Sequence, residues 1–115
     1  MKKKTLDPVA AQARIDEVQE AYRQWVELLP QLEAAQEQWK RGMALAKKME
    51  KFYFDGEYSR YNDALDEGLK LNLETKGEYS VMSEDALWNA FHDQQRLAWQ
   101  RLRSAVEVLD KFKDQ

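Results

Sequence analysis

Residues 15–46 read IDEVQEAYRQWVELLPQLEAAQEQWKRGMALA, and the spacing of the apolar side chains within them decides the fold. Ile15, Val18, Tyr22, Trp25, Leu29, Leu32, Trp39, Met43 and Ala46 follow alternating steps of three and four, interrupted by polar Gln36. A helix turns once every 3.6 residues, so this spacing sets them along one side as a heptad seam. Upstream, Asp7 followed by Pro8 is a helix opening. The aspartate can accept an orphan backbone N–H, and proline loses nothing at the first helical position. Downstream, Asp55-Gly56 suits a turn, so the spacing predicts one helix from 8 to 54.

Pro30 tests that reading, because proline removes a hydrogen bond and crowds the carbonyl of Val26. The seam nevertheless keeps its phase across it, with no capping residue or glycine beside it. A single kinked helix is therefore preferred, and two consecutive helices broken at Pro30 are the alternative.

Beyond Gly56, EYSRYNDALDEG (57–68) makes a short helix with Tyr58, Tyr61 and Leu65 on one side and Gly68 as its stop. Leu69, Leu71 and Leu73 then alternate with polar residues ahead of TKG and EYSVM. That pattern reads as a small β-hairpin with Gly77 in the left-handed place, one that must lie on the helices to persist. Ser83, with Glu84 and Asp85 behind it, is the expected N-cap of the next helix, where carboxylates meet the positive end of the dipole. From there Trp88, Phe91, Ala98, Leu102, Ala105, Leu109 and Phe112 hold heptad spacing, and Trp99 and Val106 widen the stripe. A second long helix is predicted over 84–113.

The expected fold is mainly α: a long antiparallel helical hairpin, its first helix kinked or broken at Pro30, with a small β-hairpin and short-helix excursion between the helices. The 115 residues make one domain, 1–115, with a flexible basic tail over 1–6 and a connecting excursion over 55–82. Charged residues make up 34% of the chain and no apolar run approaches the length of a membrane span, so no membrane association is expected. Polar Thr5 and Asp7 follow the three N-terminal lysines where an export signal needs an apolar stretch, and cysteine is absent. Both point to a cytoplasmic protein without disulfides or zinc-thiolate sites.

The tract MEKFYFDGEYSRYNDALDEG (49–68), followed by VMSEDALWN (81–89), resembles a bacterial family of uncharacterised proteins, domain-of-unknown-function family 4298. The sequence departs from that family's pattern between Gly68 and Met82, where a brief Leu-Pro-containing link gives way to the leucine alternation. The resemblance implies a bacterial, cytoplasmic, mainly helical protein and carries over no catalytic residue.

Motifs for chemistry are sparse. His92, the chain's one histidine, has Asn89 where a bundle metal site wants glutamate three residues earlier, and it reads as a flank residue near Trp88 and Trp99. Asp63, Asp66 and Glu67, like Asp55 and Glu57, lack the spacing of a calcium loop and read as a solvated acidic face. No phosphate loop or nucleophile elbow is present. The reading is accordingly non-enzymatic, with no catalytic residue, metal or cofactor; an enzyme using His92 and the acidic residues stands third.

Charge is more informative. Residues 40–51 hold five basic side chains and one acidic, whereas 55–85 hold nine acidic and three basic. Lys40, Arg41, Arg96, Arg101 and Arg103 could form a basic band for anions or nucleic acid, the second reading, although a net charge of −3 argues against nucleic acid. The first reading comes from helix lengths. A helix of about 46 residues spans about 70 Å and a returning one of about 30 spans about 45 Å. The face around Ile15, Val18, Tyr22 and Trp25 is then short of an intrachain partner, which points to a self-associating protein-interaction module of coiled-coil type. A homodimer is expected, and a further unidentified protein partner is compatible with it.

Overall fold

The computed structural model describes residues 5–112. Three helices follow one another: α1 (Pro8–Phe54), α2 (Glu57–Asp66) and α3 (Ala86–Asp110). Contacts divide the chain into two compact units, Met1–Lys40 and Arg41–Gln115. The basic tail expected over 1–6 falls mostly outside the described residues, as does the expected end of the last helix at 113.

The first unit holds the start of α1. Asp7 is its cap: the Asp7 carboxylate accepts the Val9 N–H at 3.0 Å, and the Asp7 carbonyl accepts the Ala11 N–H at 3.0 Å. The helix continues through Pro30, so the alternative of two helices meeting there falls. One missing hydrogen bond is outweighed by regular turns on both sides. Short-range pairs form along the helix: Arg14 with Glu17 at 3.0 Å, Arg23 with Glu20, and Lys40 with Glu37 at 3.4 Å. Such exposed pairs add only a few tenths of a kcal/mol each, about 0.3–0.5.

The second unit contains the core. Ala46 near the end of α1 and Leu87 in the first turn of α3 are its buried apolar side chains, 5% and 3% exposed. Around them the end of α1 packs on α2 and on the start of α3. Phe52 meets Tyr58 and Tyr61 with ring centroids 6.4 and 6.1 Å apart, and Tyr53 meets Tyr58 at 5.2 Å. Phe91 lies against Tyr53 at 5.8 Å and Phe54 at 5.6 Å. The Gln94 amide approaches the Met43 sulfur at 3.5 Å. These contacts build a three-helix junction from short stretches of each helix; the long antiparallel hairpin expected from the sequence is not what they establish.

Two glycines shape this unit. Gly56, at φ 94°, lets the chain leave α1 and enter α2 within two residues. Gly68, at φ 105°, ends α2 in a Schellman arrangement: its N–H reaches the Leu65 carbonyl at 3.1 Å, and the Leu69 N–H reaches Ala64 at 2.9 Å.

The β-hairpin expected over 69–82 is corrected: no strand occurs among the described residues. Local side-chain bonds take the backbone instead. Asn72 Oδ1 accepts the Glu74 N–H at 2.9 Å, Glu78 Oε1 accepts the Lys76 N–H at 2.9 Å, and the Thr75 hydroxyl donates to the Glu78 carbonyl. Alternating leucines make a strand only when a partner strand exists, and two short strands alone are marginal in water. Leu69, Leu71, Leu73 and Val81 all remain exposed, so the segment does not lie on a helix face as the hairpin would require.

Candidate interaction surface

On the first unit, Ile15, Val18, Tyr22 and Trp25 stand 60%, 51%, 60% and 53% exposed. Steps of three and four along α1 set them in one line, and an open hollow on that flank is lined by Arg14, Ile15, Val18, Gln19 and Tyr22. The stripe runs on through Leu29 and Leu32 and broadens where Val26 and Leu28 join from either side. At about 100° per residue, Leu28 and Val26 lie roughly 160° apart around the helix axis, wider than the narrow seam of a two-stranded coil. Large exposed apolar faces are the kind of surface at which proteins meet other molecules.

The second unit presents a comparable face on the latter part of α3. Trp99, Leu102, Val106 and Leu109, with Phe112 just beyond the helix, are all exposed. The periodicity that predicts α3 places these residues on one side, and how much of that side is covered is not contained in the pattern. Their exposure is visible only in the structure.

The other candidates are placed as follows. Lys40 lies in the first unit and Arg41, Arg96, Arg101 and Arg103 in the second. Lys40 is paired with Glu37 and Arg96 with Asp93, each at 3.4 Å within its own helix, which reduces the charge either offers to an anion. His92 is exposed, with its ring edge-on to Trp88 at 5.2 Å. No group of three His, Asp or Glu side chains suited to a metal ion occurs among the described residues.

Ser83 is not the cap of α3. The helix opens at Ala86 with Asp85 in the N-cap position and no side-chain cap bond. The Asp85 carbonyl accepts the Asn89 N–H at 2.8 Å. Ser83 instead closes a turn on Ser80, its hydroxyl and its N–H both donating to the Ser80 carbonyl at 2.7 and 3.0 Å. The Ser80 hydroxyl in turn accepts the Met82 N–H at 3.1 Å. The Ser83 side chain serves this turn, and the helix start falls two residues after it, with Asp85 in the N-cap position.

The aromatic junction is the feature that sequence reasoning missed. Its signal was present in Phe52, Tyr53 and Phe54 ahead of the Gly56 turn, with Tyr58 and Tyr61 three residues apart after it. Phe91 comes from 30 residues further on, which no local pattern connects to them.

Among the described residues, three helices with exposed apolar stripes, none long and apolar enough to cross a membrane, define a mainly helical protein. The family model described as a domain of unknown function (DUF4298) matches residues 15–104, and the chain belongs to that family. The match spans the Ile15–Trp25 stripe, the aromatic junction and most of α3. No curated protein and no solved structure matches the sequence.

Proposed function

We propose that this protein is a non-enzymatic, cytoplasmic protein-interaction module that associates with a second copy of itself through the α1 stripe of Ile15, Val18, Tyr22 and Trp25. The observation that carries this reading is the exposure of all four side chains, each more than half accessible on one line of a helix.

Helix energetics support it. A helix without packing partners gains little from propensity alone, and most helical stability in proteins comes from burying an amphipathic face. Within the first unit the described residues hold only the start of α1, and Ile15, Val18, Tyr22 and Trp25 are all exposed there.

Sedimentation equilibrium from about 1 to 100 μM tests the reading, a range that spans association free energies near −8 kcal/mol. A concentration-dependent dimer is expected, and a clean monomer throughout overturns it. Binding of a nucleic acid that weakens steeply with added salt would favour the basic-band reading instead.

A further inference from the structure

Charge and area together select the surface of the second copy that meets the α1 stripe. From Pro8 to Lys40, α1 carries six carboxylates against three basic side chains. Residues 95–112 carry four basic side chains, Arg96, Arg101, Arg103 and Lys111, against two carboxylates. Two α1 stripes face to face would set acid against acid, and two α3 stripes base against base. Only α1 against α3 brings opposite signs together, and like charges opposed across an interface are costly.

The charges also sit where they can meet. At about 100° per residue, Arg101 and Arg103 lie about 100° to either side of Leu102 and rail the α3 stripe. Glu17, which also pairs with Arg14 at 3.0 Å, and Glu33 lie about 80° to either side of Trp25 and rail the α1 stripe in the same way.

Area gives the second argument. A stable interface buries about 800 Å² per partner. A half-exposed aromatic side chain offers about 100 Å² and an aliphatic one about 45 Å². The eight large apolar side chains exposed from Ile15 to Leu32 then supply only about 470 Å². Trp99, Leu102, Val106, Leu109 and Phe112 raise the total to about 800 Å².

We infer that the α1 stripe of one copy packs on the Trp99–Phe112 face of the second copy, and reciprocally about a two-fold axis. This inference rests on the self-association proposed above. Its test is sedimentation equilibrium at low salt on the unmodified chain, on Arg101→Glu with Arg103→Glu, on Glu17→Arg with Glu33→Arg, and on the chain carrying all four changes, with circular dichroism to follow helicity. Each double reversal weakens the dimer by about tenfold or more, and the fourfold variant recovers to within about threefold of the unmodified chain. A dimer indifferent to the α3 reversal, or a fourfold variant without recovery, overturns the α1–α3 pairing while leaving self-association standing. A monomeric unmodified chain overturns both.

Discussion

Replacing Val18 and Trp25 together by glutamate abolishes self-association. In the single chain these side chains are 51% and 53% exposed, so about half of each is left for a partner to cover. That half amounts to about 100 Å² for the tryptophan and about 45 Å² for the valine. A symmetric dimer covers both residues twice, close to 290 Å² in all, which at about 25 cal/mol per Å² contributes about 7 kcal/mol. A dimer with micromolar affinity has about −8.2 kcal/mol in total. Removing about 7 of it moves the dissociation constant toward the molar range, and burying four carboxylates in place of apolar groups adds a further penalty. Sedimentation equilibrium of the V18E/W25E chain at about 100 μM therefore shows a monomer where the unmodified chain shows a dimer. The near-ultraviolet circular dichroism of the Phe52, Tyr53 and Phe91 junction, which lies in the other unit, serves as the control for folding. A double variant that still dimerises with unchanged affinity would refute the assignment of this stripe as the association surface.

Leu87→Ala removes one of the buried side chains of the second unit and costs about 2–3 kcal/mol in urea unfolding; a loss under about 1 kcal/mol would place the core elsewhere. Gly68→Ala forces a Cβ into φ 105° and lowers stability by about 1–2 kcal/mol, read by thermal melting, although the space around Gly68 is open and only the backbone conformation resists. Ser83→Ala changes stability by less than about 0.5 kcal/mol, because Ser83 closes an exposed turn and does not cap α3. A loss near 1 kcal/mol in the same melting experiment would restore the cap assignment.

The helices α1 and α2 were legible residue by residue because their signals are local. Asp7 and Pro8 open α1, Asp55 and Gly56 close it at Phe54, and Gly68 stops α2 with the two hydrogen bonds that a left-handed residue permits. Each of these depends on neighbours within about five positions, so the sequence by itself determined them. The same holds for the seam, whose phase survives Pro30 because periodicity is a property of the chain.

Where the sequence pattern was ambiguous, the tertiary structure decided. Leu69, Leu71 and Leu73 alternate as a strand does, yet a strand exists only by hydrogen bonding to another, and Asn72, Thr75 and Glu78 offer the backbone nearer partners. Ser83 carries the chemistry of a cap, but its hydroxyl donates to the Ser80 carbonyl and the helix opens only at Ala86. Most of all, the heptad seam keeps one phase from Ile15 to Ala46, interrupted only by Gln36, and nothing in it distinguishes the buried end from the exposed one. Ala46 is buried in the stretch of α1 where Gln94 reaches Met43 and Phe91 reaches Tyr53 and Phe54 from more than 35 positions away, whereas Ile15 through Leu32 keep their apolar face in solvent. Periodicity states which face of a helix seeks a partner; the chain's long-range packing decides which part of that face finds one, and so which part remains for another molecule.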